Sequence, residues 1–465
     1  MKKQLILILT LILLVGITAG ILLFVSNMEN EQKAEEERLE QEKILFSLNS
    51  NDIDKIEINS EDTTYVAVLD ESGHWTLENE VDFEINTYFL NSLASQLSGL
   101  TADEIICPIE GADLSEYGLD DPNSITLYAN DTAHTINIGK LSATKEFYYV
   151  TIEGRDKVFA ASSDYADFLN ATKSSLKSIY ILRNSDSVIT EIALEAHGET
   201  VYELKMTEDK LWILNEPISM TDRIDTSGVT TLLTTINQMI VDRFGDEHVT
   251  EDQYADYGFD DPAYIFRFQQ ENGETTTLLA LEYDQSNTNF VTLICKETGQ
   301  IFQMESTYTD FLQGSADQFI QDIVYSCPVS EIDKVDIEWE EYDDAAISID
   351  EENGKYQLND LALKETGSEA IVALENFYTK IQALKYDTLV IDDPANADTE
   401  PEITITYTKK DGTVTEVSFR SADEENLAVY VNGEYSYFTI SKKNFTARDG
   451  IYDYYNQLLT AAGIE

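Results

Sequence analysis

The sequence predicts an α+β protein: an N-terminal transmembrane helix followed by three tandem antiparallel-sheet-plus-helix units, the third divergent. Three observations predict it. Tyr117-Gly118-Leu119-Asp120-Asp121-Pro122 returns as Tyr257-Gly258-Phe259-Asp260-Asp261-Pro262, 140 residues on (262 − 122), and a worn copy, Ile391-Asp392-Asp393-Pro394, follows 132 residues later (394 − 262). A period of that length marks copies of a whole domain, because solenoid repeats run only about 20 to 50 residues. Leu5 to Val25 is an uncharged apolar run. Around each copy of the motif, runs alternating every second residue flank one stretch with three- and four-residue apolar spacing, the periods of strand and helix respectively.

The elements follow in chain order. Lys2 and Lys3 precede the apolar run, which at about 1.5 Å per residue is long enough to cross a hydrocarbon core of about 30 Å. Paired lysines favour the cytoplasmic side, so residues 1–25 are expected to be an uncleaved signal anchor, with the chain beyond Ser26 outside the cell. A cleaved signal peptide is the competing reading, but its apolar region is usually shorter and ends at a small-x-small site, which Phe24-Val25-Ser26-Asn27-Met28 does not offer. Residues 26–48, dense in Glu, Gln and Lys, favour helix but have too little apolar stripe to pack on a core. They are expected to form a solvated acidic stalk. The three units are then expected over 49–183, 184–325 and 326–465.

Each unit opens on an alternating strand: Ile53 to Ile58, Ile189 to Leu194, and Ile332 to Ile337. A second strand and an aromatic strand follow, the latter containing Trp75, Trp212 or Tyr356, which are expected to anchor their sheets. A helix comes next, with apolar spacing at Phe89, Leu90, Leu93 and Leu97 in the first unit, at Leu232, Leu233, Ile236, Met239 and Ile240 in the second, and at Ile371, Leu374, Phe377, Ile381 and Leu384 in the third. The Asp-Asp-Pro segment is then expected to join that helix to a hairpin. The hairpins turn at Asn130-Asp131, Asn272-Gly273 and Asp411-Gly412, and Asn-Gly and Asp-Gly suit turns that need positive φ at both central residues. A second hairpin and a short helix close each unit, with Tyr165 to Leu169 matched by Tyr308 to Leu312 and the tail Asn444 to Leu459 in the third.

The repeated motif reads as structural. Gly118 and Gly258 suit a turn with positive φ. Asp121, Asp261 and Asp393 precede Pro122, Pro262 and Pro394, which push them towards extended backbone, while Tyr117 and Tyr257 with the residues after the glycines are expected to anchor the turn in the core. The alternative makes the aspartates ligands or acid–base groups.

Composition limits function. Against 30 basic residues stand 88 acidic ones, a formal net charge of −58, and this excludes phosphate-driven nucleic-acid binding. The 43% hydrophobic content is too rich for a disordered acidic tail. The acidic coat suits solubility and only weak, non-specific divalent-cation binding. Asp350-Glu351-Glu352-Asn353-Gly354 comes nearest to a calcium loop, but its glycine is one place early and no Glu follows at position twelve. It is expected to be a hairpin turn. Cys107, Cys295 and Cys327 form no C-x-x-C pair, and an odd count leaves at least one free thiol. No zincin, nucleophile-elbow, Walker or dinucleotide motif occurs, so no catalytic, cofactor-binding or metal-ligating residues are assigned.

The chain resembles domain of unknown function 4340, a bacterial envelope family. The matching residues are Gly73 to Trp75, Tyr117 to Pro122, Tyr148 to Val150 and Val158-Phe159. The likeness is good from about Trp75 to Leu194, fair from Trp212 to Leu312 and poor beyond Glu331. Members often lie beside genes for gliding-motility-type ABC transporters, so the resemblance implies an accessory role at an envelope transporter and carries over no catalytic residue. The expected function is that of a single-pass cell-membrane protein, N-terminus cytoplasmic, acting outside the cell as a non-catalytic partner of an ABC-type or envelope complex. Cell-wall or polysaccharide binding is the alternative, and a glycan hydrolase with a hidden carboxylate pair the third reading. Exposed aromatics in a groove would favour a glycan, and an apolar patch without a pocket would favour a protein partner.

Overall fold

The computed structural model describes residues 25–464 apart from 61–62, 71, 82, 183–186, 284–288, 341, 351, 366 and 396–398. The expected membrane span over 1–25 therefore lies almost wholly outside the described residues, among which no helix is long and apolar enough to cross a membrane. Packing divides the chain into two compact units, residues 1–183 and 184–465.

In the first unit, residues 25–43 form one exposed helix, braced by ion pairs such as Arg38–Glu35 at 2.6 Å. The expected stalk continued to residue 48, but Leu45 and Phe46 are buried in the core. Their amides both donate to the Leu100 carbonyl. The end of the helix is held by Arg155, whose guanidinium donates to the carbonyls of Glu42 at 3.0 Å and Ile44 at 2.6 Å, and Lys157 pairs with the Glu42 carboxylate.

The sheet of this unit comprises β1 (Ile53–Ser60), β2 (Thr63–Leu69), β3 (Trp75–Leu77), β4 (Ala102–Pro108), β5 (Asn123–Ala129), β6 (Thr132–Leu141), β7 (Phe147–Ile152) and β8 (Lys157–Ser162), with helix α1 (Thr87–Ser98) between β3 and β4. Its spatial order is β3-β2-β1-β5-β6-β7-β8-β4, antiparallel throughout. β1 alternates as expected, burying Ile56 and Ile58. On β8, by contrast, Val158, Phe159, Ala160 and Ala161 are all buried. Successive strand residues face opposite sides, so this half of the sheet is covered on both faces. One cover is α1, through Leu90, Leu93 and Leu97; the other is the β4–β5 connection that carries the motif.

The second unit contains two such sheets. The first is β9 (Ile189–Ala196), β10 (Glu199–Met206), β11 (Trp212–Glu216), β12 (Arg243–Phe244), β13 (Tyr264–Gln270), β14 (Thr275–Ala280), β15 (Phe290–Cys295) and β16 (Gln300–Glu305), with α2 (Thr226–Gln238). Its order, β11-β10-β9-β13-β14-β15-β16-β12, repeats that of the first sheet. The next comprises β17 (Ile332–Trp339), β18 (Ala345–Asp350), β19 (Lys355–Leu358), β20 (Leu361–Ala362), β21 (Thr388–Leu389), β22 (Ile403–Lys409), β23 (Val414–Ser421), β24 (Asn426–Val431) and β25 (Glu434–Ser441), with α3 (Ser368–Gln382). It keeps the order and adds β20 beyond β19. The divergent repeat has thus lost the motif spelling and kept the topology. It closes on α4 (Ile451–Ala462), whose Tyr455 ring packs on Phe377 of α3 at 5.4 Å. Asp350 and Gly354 lie in the β18–β19 hairpin, with Asp350 opposite Lys355.

One strand per repeat escaped the sequence reading. β4, β12 and β21 follow the helix and close the far edge of each sheet on β8, β16 and β25. The motif therefore joins this edge strand, not the helix, to the central hairpin. Two of these strands are only two residues long, and the third is bulged at Asp103 and Ile106, so no clean period-two pattern marks them.

The two sheets of the second unit are joined by main-chain pairing. Val324 N donates to Leu384 O at 2.9 Å and Tyr386 N to Asp322 O at 2.7 Å, and Lys385 pairs with Asp322 at 2.7 Å.

Candidate functional site

The motif proves to be a helix stop and a plug. In the first repeat a short 3-10 turn, Leu114–Tyr117, is capped by Asp113 and ends at Gly118 with φ 68°. The second repeat has the helix Tyr254–Tyr257, ending at Gly258 with φ 84°. Left-handed backbone at the residue closing a helix favours glycine. The next residue turns inward: Leu119 and Phe259 are buried, and their amides bond back to Leu114 O and Tyr254 O, each at 2.9 Å. Phe259 packs with Val249, Tyr254 and Ile294 on the face of the sheet away from α2.

The tyrosines do not anchor the core as expected. Tyr117 is half-buried, its ring against Tyr149 at 4.9 Å, and Tyr257 is exposed, donating from its hydroxyl to Asp246 at 2.8 Å. A residue preceding a left-handed glycine ends the helix on its outer side, and the anchoring falls to the residue after it. Asp120, Asp121, Asp260 and Asp261 are exposed.

The third copy is out of register. Ile58 pairs with Ile125, Leu194 with Phe266 and Ile337 with Ile405. Counting back four residues from Phe266 and from Ile405 gives Pro262 and Pro401, which share a place at the entry to the hairpin; Pro122 is matched to Pro262 by the shared motif. The amide of His197 donates to Ala263 O and that of Glu340 to Glu402 O, both at 2.8 Å, which fixes the same match. Asp393 and Pro394 lie earlier in the connection. There Asp393 accepts hydrogen bonds from the Tyr430 hydroxyl at 2.7 Å and from the Ala395 amide at 3.0 Å, and Ala395 packs on Ala428 and Tyr430. The aromatic strands also differ from expectation. Trp75 is buried, with Nε1 donating to Asn91 at 2.8 Å, whereas Trp212 and Tyr356 are half-buried and Leu214 and Leu358 fill those cores.

A groove of about 450 Å³ lies in the second repeat between α2 and the segment after β16. Gly228, Leu232, Met239 and Phe311 line it together with Asp225, Thr231, Tyr308, Asp310 and Gln318. Its origin is visible by comparison with the first repeat. Asn86 caps α1 and Asp225 caps α2. The cap amides donate to Leu176 O at 2.9 Å and Phe319 O at 2.8 Å, so Phe89 and Gly228 are equivalent, three residues beyond their caps. Likewise Ser163 N bonds to Glu146 O and Ser306 N to Asn289 O, which makes Tyr165 equivalent to Tyr308 and Phe168 to Phe311.

In the first repeat Phe89 stacks on Phe168, with ring centroids 5.9 Å apart and planes at 26°. At the same place the second repeat has no side chain, and the groove opens. Gly228 is there for close approach: a Cβ would lie 2.0 Å from Gln318 O. Sequence reading missed this groove, although the substitution of Gly for Phe at matched helix positions was legible once the caps were aligned.

Polar groups around the groove are partly committed. Asp225 Oδ1 accepts from the Ser227 amide at 2.9 Å and hydroxyl at 2.7 Å, and these bonds hold its carboxyl below the usual range. The hydroxyls of Thr231 and Thr235 donate to carbonyls one turn back, at 2.9 and 3.1 Å, and face outward as acceptors. Tyr308 is 59% exposed. No Lys, Arg or His lines the groove among the described residues.

Elsewhere, the three cysteines are free thiols. Cys327 is buried, and burial raises its thiol above the usual range, as it does for Cys295. Among the described residues no three His, Cys, Asp or Glu side chains converge as a metal site.

A scaffold of three antiparallel sheets that share one strand order, the third with an added edge strand, each with a helix and a connection that carries the motif or its remnant, defines a tandem-repeat α+β protein. The chain belongs to the family described as domain of unknown function (DUF4340), whose model matches residues 75–252 and 212–404. Each match begins on an aromatic strand, at Trp75 or its counterpart Trp212, and runs on into the next sheet. No curated protein matches the chain, and no solved structure does.

Proposed function

We propose that this is a membrane-anchored extracytoplasmic protein that acts through protein contacts, as a non-catalytic partner of an ABC-type transport or envelope complex. The observation carrying the reading is the unequal treatment of one scaffold: repeat one fills with Phe89 the place that repeat two leaves open beside Gly228. Repeats that share a topology and differ at one solvent-facing slot are suited to recognition, with the remaining copies as support. The acidic coat keeps such a protein dispersed outside the cell, and the apolar run of residues 5–25 supplies an anchor.

Cell-wall or polysaccharide binding is the second reading, and the exposed ring of Tyr308 beside hydroxyl and amide groups favours it. The experiment is recovery of the tagged full chain from membranes. Co-purification of ABC-transporter subunits supports the first reading. Retention on cell-wall polysaccharide with no protein recovered above control supports the second. Protease treatment of intact cells should remove everything beyond Ser26, and a soluble form beginning near Asn27 would refute the anchor.

A further inference from the structure

We infer that the groove of the second repeat is a docking slot for an aromatic side chain carried on a basic peptide segment of a partner protein, an inference that rests on the protein-contact reading above. The first repeat shows what the slot accommodates. Phe89 there occupies the corresponding place and stacks on Phe168, with ring planes at 26°. Phe311 is the counterpart of Phe168, and the groove of about 450 Å³ above it has room for such a ring.

The second repeat cannot supply that ring from the same position. Any Cβ at residue 228 would collide with the Gln318 carbonyl, so this position offers no second ring to Phe311, which packs on Phe266 at 4.7 Å within its own repeat. The floor of Leu232, Met239 and Phe311 offers the ring apolar contact, and aromatic side chains gain most from such burial. The rim sets the charge of the segment that brings it. Asp225 and Asp310 stand there with no cation among the lining residues, which disfavours an anionic ligand and favours lysine or arginine beside the ring. Thr231 and Thr235 have already donated their hydroxyl hydrogens to their own helix. They add acceptors, which suit ammonium or guanidinium donors.

The test uses the full chain in lipid nanodiscs, titrated with the blocked peptide acetyl-Gly-Lys-Phe-Lys-Gly-amide and with its counterpart bearing Ala for Phe. Saturable binding is expected for the first. The Ala peptide should bind at least about tenfold more weakly, the loss of one buried ring. Thr231→Trp, on the exposed side of α2, should fill the slot and weaken the Phe peptide to the same degree. Asp310→Lys, a surface change, should weaken it several-fold and flatten its salt dependence. Phe89→Ala should open a matching slot in the first repeat and add a second binding equivalent.

Equal affinity for the two peptides would overturn the proposal, as would indifference to both Thr231→Trp and Asp310→Lys in variants that melt like the parent. Binding of chitotriose that Thr231→Trp blocks, with no binding of the Phe peptide, would overturn it in favour of a glycan. If the membrane pull-down recovers its protein partner equally from parent and Thr231→Trp chains, the slot is refuted while the protein-contact reading stands.

Discussion

The guanidinium of Arg223, at the entry to the second repeat's helix, donates to the Tyr386 hydroxyl of the third repeat at 2.9 Å. Its other nitrogen reaches Ser436 O at 2.8 Å, and its plane lies over the rings of Tyr386 and Phe438 at 5.3 and 5.7 Å. One side chain thus ties two sheets together through a planar fork and two aromatic faces. Lysine has neither the fork nor the plane. Arg223→Ala should cost about 2–4 kcal/mol, from two charge-assisted hydrogen bonds and the cation–π contacts. Arg223→Lys should recover less than half of it. Denaturant unfolding of the two variants checks this, and near-parental stability of Arg223→Lys would show that charge alone matters.

The glycines of the motif should not be equally sensitive. Both have positive φ, but a Cβ at Gly118 would lie 2.9 Å from Lys140 N, whereas the nearest atom at Gly258 is Leu281 Cδ2 at 3.8 Å. Gly258→Ala should cost about 1–2 kcal/mol for left-handed backbone alone. Gly118→Ala should cost more, because backbone must shift as well. Melting of the two variants against the parent settles the order. Loss of a partner interaction without loss of stability would make the segment a binding site instead of a plug.

Three aspartates that look alike in sequence should behave differently. Asp393 holds the hydroxyl of Tyr430, a residue only 2% exposed. Asp393→Ala should destabilise by about 1–3 kcal/mol by leaving that hydroxyl unpartnered. The exposed Asp121 and Asp261 should each stay within about 0.5 kcal/mol when changed to Ala. Equal effects at all three positions, read from chemical denaturation, would contradict the displaced register of the third copy.

Asp225 provides a pH signature. Its folded-state carboxyl is held below the usual range by the Ser227 hydroxyl and amide, so its stabilisation is fully present above the unfolded value of about 3.9 and is lost as pH falls through the lower folded value. The difference in stability between the parent and Asp225→Asn, which keeps a capping oxygen that does not titrate, should therefore shrink below pH of about 4. Asp225→Ala should cost about 1 kcal/mol at neutral pH. A parent–Asn difference constant down to pH of about 2 would show that the charged cap contributes nothing.

Calcium and magnesium should raise the melting temperature by similarly small amounts. Screening of diffuse self-repulsion does not depend on ion size, whereas a calcium cage discriminates by coordination. A specific site at one hundred times its dissociation constant would add about 2.7 kcal/mol. A large shift for calcium alone, lost in Asp350→Asn, would overturn the view of the acidic coat as solvated charge.

Features that are local or periodic were legible from the residues alone. Alternation at Ile56 and Ile58 marked the central strand because one face there is wet. The three-four spacing of Leu90, Leu93 and Leu97 marked the helix because all three meet one sheet. The repeated Tyr-Gly marked a turn because left-handed backbone needs glycine whatever surrounds it.

Features that depend on neighbours distant in the chain were set by packing. The edge strands β4, β12 and β21 are strands only because β8, β16 and β25 lie beside them. The match of Pro401, not Pro394, to Pro262 follows from pairing with β17, and spelling pointed to the other proline because Asp-Asp-Pro recurs without its tyrosine and glycine. The groove depends on two residues 83 apart (311 − 228), Gly228 and Phe311, and on a carbonyl that forbids a side chain where Phe89 has one. A gap of this kind is a property of packed surfaces, and no single stretch of sequence contains it.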